Sequence, residues 1–403
     1  MIRAILLDLD DTLITTHSES FFPDYVALMA KRLAALVQEE ATLSALRSGV
    51  RQASANLDPL KTAEEAFMAA FLEMVNRPPE EVRKAFETFY TVDFPSMRGR
   101  ITPRPQAVRL LDWLFSHDYI VVVATNPVTP ESTIRQRMAW GEIPIERYPF
   151  TLVTTLETMH FTKPNPEYYD EILARAGARP EEALMVGDDW ERDIAGPISA
   201  GLSTFWVTNG HTPPDGQRGK ADGHGSFDTF VDGVVAGWLD TLEPPCKTRD
   251  ALLHQLSATP AAIDALLRDH PTDVIARQPS PDEWSVLITI SHLRCHERSE
   301  DRPWLKRILA EDDPFISATH SQETHAPRPQ APHEELRAFA EQRKETVAWL
   351  KTLPDEVWAR RARHSIFGPT CFREMIGFMA EHDRTHLRQM HVAIDHVTRP
   401  QAR

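Results

Sequence analysis

The sequence predicts an α/β domain built on a parallel sheet, followed by an all-α four-helix bundle, and three observations predict it. Five short apolar runs alternate with helical patterns in the first half. A long helical stretch without a strand pattern interrupts them after the first run. Beyond the pair Pro244-Pro245, amphipathic helical patterns alone remain.

The five runs are AILLDLD (4–10), YIVVVATN (119–126), FTLVTTLE (150–157), ALMVGDD (183–189) and STFWVTN (203–209). Each ends in polar, functional-looking residues. Patterns such as QAVRLLDWLFSH and PEYYDEILARAG separate them, with apolar residues at three- and four-residue spacing. Strands that are apolar throughout and alternate with helices imply a parallel sheet covered on both faces, with ligands at the strands' carboxyl ends. The strandless stretch, about 14–99, contains YVALMAKRLAALVQE and AEEAFMAAFLEMVN and reads as a helical insertion after the first strand. A boundary is expected at TLEPPCKTRD, giving residues 1–242 (core 1–13 and 100–242), a linker at 243–249 and a bundle over 250–396. Its helices are expected near 250–269, 283–310, 333–352 and 370–394, with no strand among them.

Composition narrows the function. Net charge is -15 and pI about 5.6, which opposes the attraction on which nucleic-acid binding relies. No apolar stretch approaches the ~20 residues needed to span a bilayer, and Asp8 arrives too early for a secretory signal, so neither nucleic acid nor membrane is expected and a cytoplasmic location is. Cys246, Cys295 and Cys371 are widely spaced and form neither a disulfide framework nor a thiolate metal motif.

Chemistry concentrates at the strand ends. In Asp8-Leu9-Asp10-Asp11-Thr12, alternation puts Asp8 and Asp10 on one side, and Asp188 adds a third acid at another carboxyl end. Three oxygen donors of this kind suit Mg²⁺. Thr125 and Lys163 bring a hydroxyl and an ammonium to the same rim, both suited to phosphate.

The motifs DLDDT, ATN, KPNP and GDDWERD resemble, in order and spacing, those of the haloacid dehalogenase-like hydrolases, over residues 1 to about 240. The resemblance implies a Rossmann-like core with a helical cap that selects the substrate. It implies Asp8 as nucleophile and Mg²⁺ ligand, and Asp10 as general acid and then base, with its carbonyl on the metal. Asp188 would be a further ligand, Thr125 and Lys163 would hold the phosphoryl group, and Asn126 would assist them. Asp189 and Asp193 would support the site. Asp10 favours phosphorus chemistry, because dehalogenating members lack an acid there. The expected reaction is hydrolysis of a small phosphorylated metabolite, with a phosphomutase as the alternative. Candidate selectors near the cap hinge are His17, Ser18 and Arg98.

In the bundle, His382 and His386 stand four apart on one helix face, and His292 lies on the face of Trp284 and Ile288. Three imidazoles from facing helices can hold a divalent transition metal, Zn, Ni or Fe. His296 is a rival to His292. A Trp-Ser lead-in, His-Leu and a later H-x-x-x-H resemble the DinB-like family of metal-binding bundles, over about 248–395. This implies a thiol-dependent transferase, or a binding module able to form a homodimer. His254, His320, His325 and His364 read as surface residues. The metal is expected to leave as pH falls through the ordinary histidine pKa of ~6.5.

Overall fold

A computed structural model describes residues 1–34, 36–213, 219–317 and 331–399. They fall into two compact units, Met1–Cys246 and Lys247–Arg403.

The first unit begins with β1 (Ala4–Leu7), whose four side chains are all buried. A two-residue strand, β2 (Ile14–Thr15), then leads into the cap helices α1 (Ser18–Leu33), α2 (Glu39–Ala55), α3 (Ala63–Val75) and α4 (Pro79–Thr88). β3 (Thr102–Pro103) returns antiparallel to β2, so a two-stranded ribbon forms the root of the insertion. α3 starts at a capping box in which Thr62 accepts from the Glu65 amide and Glu65 accepts from the Thr62 amide. At Gly49 a Cβ would lie 2.6 Å from the Phe67 ring, so glycine lets α2 and α3 pack closely.

The core resumes with α5 (Pro105–Ser116), β4 (Ile120–Val123), α6 (Glu131–Trp140), β5 (Leu152–Val153) and α7 (Pro166–Ala176). Next come β6 (Ala183–Gly187), α8 (Gly196–Ser199), β7 (Ser203–Val207), β8 (Gly223–Gly225) and α9 (Phe227–Val235). The sheet order is β5-β4-β1-β6-β7-β8, with all neighbours parallel. All five expected strands are present. The run 150–157 pairs over only two residues, and β8, written Gly-His-Gly, carries no apolar signal.

Cap and core are also joined away from the ribbon. The amides of Ala63 and Glu64 donate to the carbonyls of Met159 and Leu156 at 2.8 and 2.9 Å. Asn56 Nδ2 donates to the His160 carbonyl at 2.9 Å, and Asn165 Nδ2 to the Ser54 carbonyl at 3.1 Å.

The second unit contains α10 (Arg249–Asp269), α11 (Thr272–Ala276), α12 (Val286–His296), α13 (Arg302–Ala310), α14 (Pro332–Lys351) and α15 (Phe372–Thr398). The helix expected over 283–310 is interrupted by a π-helical turn, Glu297–Asp301. The expectation of no strand is overturned. β9 (Phe315–Ile316), β10 (Arg361–His364) and β11 (Gly368–Cys371) form a small sheet, with β10 antiparallel to β11 and parallel to β9. Its strands are too short to show a period. Alternation along β10 turns His364 inward, so it is buried rather than at the surface. There its Nδ1 accepts from the Ile366 and Phe367 amides, at 3.2 and 3.3 Å. His254 is half-buried on α10, and His320 and His325 lie outside the described residues.

Candidate active site and metal centre

Past the end of β1 the chain stays pinned to the sheet, since the Asp8 amide donates to the Val186 carbonyl at 2.9 Å. Three residues later Asp11 adopts the left-handed region, φ 57°, and the chain turns away. Asp11 uses its carboxylate on that turn, accepting from the amides of Thr16, His17 and Ser18 at 2.8–2.9 Å. Burial would raise its pKa, but these donors hold it below the ordinary carboxylate value. Asp11 therefore shapes the cap hinge.

Asp8, Asp10, Thr125, Asn126, Lys163, Asp188, Asp189 and Asp193 all line one cavity of about 420 Å³ at the carboxyl ends of the strands. Lys163 is the electrostatic centre. Its Nζ lies 2.8 Å from Asp8 Oδ1 and 2.6 Å from Asp193 Oδ1, with all three side chains buried. Burial alone would lower the ammonium's pKa, yet Asp193 and Asp8 hold it well above its usual range. Asp193 is fixed in turn by the Asp189 amide, which donates to its Oδ2 at 3.0 Å. It packs so tightly on β6 that a Cβ at Gly187 would lie 2.2 Å from its carboxyl carbon. Asn126 accepts from the Lys163 amide through Oδ1 at 3.2 Å, tying the two phosphate-facing loops together.

The donor set is rich in negative charge. Burial raises Asp8 well above the carboxylate range; Lys163 opposes this, and Asp193, Asp188 and Asp10 add to it. Burial, then Asp193 and Asp11, push Asp188 up to about 7. Oxygens of Asp8, Asp188 and Asp193 come within 4.8 Å of one another, and one lysine does not offset three acids. A hard divalent cation suits this set. The Asp10 side chain points elsewhere, which leaves its carbonyl as the group the resemblance assigns to the metal. Its Oδ2 is bonded to Arg137, while Oδ1 is buried without a hydrogen-bond partner among the described residues.

Sequence reasoning missed Arg137. It is buried on α6, where its guanidinium also donates to Thr129 Oγ1 at 3.0 Å. The readable signal was its spacing from Ile134, three residues before, which places a charge on the helix's buried stripe. Of the hinge candidates, Ser18 lines the cavity, whereas His17 and Arg98 are exposed and do not.

In the bundle, α12 and α15 bring His292, His382 and His386 together. Nε2 of His382 lies 3.3 Å from that of His292 and 3.0 Å from that of His386. Nitrogens bound at ~2.0–2.1 Å to one tetrahedral metal stand about 3.3 Å apart, so the cluster fits. Burial, followed by the charges of neighbouring histidines, lowers His382 to about 2, and burial also lowers His386. Both stay neutral and able to coordinate. His296 is directed to acids instead, with Nδ1 3.0 Å from Asp301 Oδ2 and Nε2 3.5 Å from Glu300 Oε2. Burial would lower its pKa, but Asp301 and Glu300 raise it, so His296 stands outside the ligand group. Beneath the cluster, buried Arg343 donates to Glu297 at 3.0 Å and to Asp383 at 3.1 Å, bracing α14 against α15.

Known proteins are similar to a little over half of this chain. A glyceraldehyde 3-phosphate phosphatase from Methanothermobacter thermautotrophicus is 28% identical over 236 residues, 58% of this chain and 97% of that protein. A phosphoserine phosphatase from Thermus thermophilus is 28% identical, covering 53% of this chain and 91% of its own. The crystal structure of a HAD phosphatase from Thermococcus onnurineus covers 59% of this chain and 98% of its own, at 18% identity and TM-score 0.38. Family models for haloacid dehalogenase-like hydrolases and for the DinB superfamily match residues 2–201 and 255–390, so the chain carries a haloacid dehalogenase-like hydrolase domain over the first range and a DinB-superfamily domain over the second.

Proposed function

We propose that the N-terminal domain is a Mg²⁺-dependent phosphatase that hydrolyses a small phosphomonoester through an aspartyl-phosphate on Asp8. The observation that carries this is the cavity that joins Asp8, Lys163 and Asp193 to Asp10, whose Oδ1 has no hydrogen-bond partner among the described residues. Relatives named as phosphatases and pyrophosphatases support phosphohydrolase chemistry.

Asp8, Asp188 and the Asp10 carbonyl would hold Mg²⁺, with Asp193 beside them, and the bound cation supplies positive charge to the phosphoryl oxygens. Lys163 offsets the repulsion between the Asp8 carboxylate and the phosphate. Asp8 attacks phosphorus, the ester P–O bond breaks, and Asp10 gives its proton from Oδ1 to the departing alkoxide. Water then attacks the acyl phosphate, giving its proton to Asp10 and releasing phosphate, which regenerates Asp8. Arg137, on the other oxygen of Asp10, fixes the carboxyl group for both transfers. A mutase would pass the phosphoryl group to a second hydroxyl and need a bisphosphate activator.

Asp8→Asn should abolish phosphate release from p-nitrophenyl phosphate, and Asp10→Asn should reduce kcat by several powers of ten. Near-normal turnover by Asp8→Asn would overturn the mechanism. In the bundle, His292, His382 and His386 would hold a second divalent transition metal, a reading supported by the spacing of their nitrogens.

A further inference from the structure

A second cavity, of about 700 Å³, lies beside the catalytic one and is walled mainly by cap side chains. Val50 and Val128 line both cavities. Two segments pass from one to the other. On α2, Leu46 faces the second cavity and Ser54 the catalytic one, with Val50 between them; in the loop after β4, Thr125 and Asn126 face the phosphate side and Pro130 the far side, with Val128 between. Val50 and Val128 therefore stand at the boundary of the two cavities.

The second cavity is apolar in its depth. Met29, Leu46, Phe67, Met68 and Phe86 are buried side chains on its wall, and Tyr25 and Tyr90 turn their hydroxyls to each other at 3.4 Å. Its arginines Arg47, Arg51 and Arg83 are exposed, and Arg83 pairs with Glu64 at 3.3 Å. The volume falls within the ~300–1,000 Å³ typical of sites for drug-sized ligands. Water filling such a space finds few polar partners, whereas an apolar group placed there leaves water at little cost.

Resting on the phosphatase reading, we infer that the substrate is the phosphate monoester of a bulky apolar alcohol, whose hydrocarbon part passes between Val50 and Val128 into this second cavity. A small polar ester would occupy the catalytic cavity alone and leave the apolar cavity unfilled.

The test is a series of n-alkyl phosphates from ethyl to octyl, with glycerol phosphate as the polar comparator, assayed for phosphate release by the full-length protein with Mg²⁺. kcat/KM should rise roughly twofold to fourfold per methylene, the change expected when a CH₂ group leaves water, making octyl phosphate at least about 50-fold better than ethyl phosphate. In Met68→Trp, which fills the cavity, the octyl-to-ethyl ratio should collapse toward one. A ratio near one in the wild-type protein, or a preference for glycerol phosphate, overturns the inference and leaves the phosphatase standing. Absence of phosphate release from every ester overturns the phosphatase reading as well. A folded Met68→Trp that keeps the full chain-length preference places the alkyl group elsewhere and overturns the site; if this variant does not fold, the wild-type series still decides.

Discussion

Asp10 and Arg137 form an ion pair in which the arginine is almost wholly enclosed and the carboxylate is 12% exposed. Removing one partner of such a pair leaves a charge with poor compensation. Arg137→Met should lower the melting temperature and cut kcat about 10- to 100-fold, while Arg137→Lys, lacking the planar fork, should restore only part of it. Circular dichroism melts beside steady-state kinetics would separate the two effects. Asp188, pushed up to about 7, carries a different consequence. Above that pH it is ionised and ready for a cation; below it, a proton must leave first. The Mg²⁺ concentration for half-maximal activity should thus rise about tenfold per pH unit below 7, if one proton is displaced. Titrating activity with Mg²⁺ at pH 6, 7 and 8 checks this. At this scale the sequence was most informative where chain direction is fixed by a strand. Asp8, Thr125 and Asp188 sit within two residues of a strand end, so their convergence followed from topology, whereas Lys163 reaches the site from a loop that has run on from Val153 at the end of β5. The Arg137 pairing did not, because it depends on how α6 is rolled against the sheet.

The paired histidines of α15 show what helix periodicity can and cannot deliver. Four-residue spacing puts His382 and His386 on one face, and the apolar stripe of α12 turns His292 inward. Choosing between His292 and His296 required the π-helical turn after α12, which brings Glu300 and Asp301 to His296. One additional residue in a turn leaves no mark on hydrophobic spacing. The sheet of β9, β10 and β11 escaped for a related reason: Arg-Ala-Arg-His offers a single apolar residue to reveal alternation. His382→Ala combined with His386→Ala should remove one equivalent of transition metal from the full-length protein, measured by mass spectrometry. The depressed pKa values of both histidines also change the expected acid response. His382, lowered to about 2, stays unprotonated well below the ordinary value of ~6.5, and His386 is shifted in the same direction, so metal should dissociate only in solution more acidic than that value.

Across the whole molecule, the two units carry separate cores and two unlike donor sets, carboxylates in one and imidazoles in the other. The Methanothermobacter phosphatase matches this chain over 97% of its own length using 58% of this one, so the similarity ends where the bundle begins. A chain ending at Leu242 should be soluble and keep its turnover of p-nitrophenyl phosphate; aggregation of the shortened chain alone would show that the two units depend on each other. Within that unit, the hydrogen bonds from α3 and Asn56 reach residues 156–160, three residues short of Lys163. The insertion is thus tied to the core midway along its sequence as well as at its root. Lifting it away would break these hydrogen bonds, so the segment that leads to Lys163 serves at once as part of the phosphate rim and as a strap on the insertion.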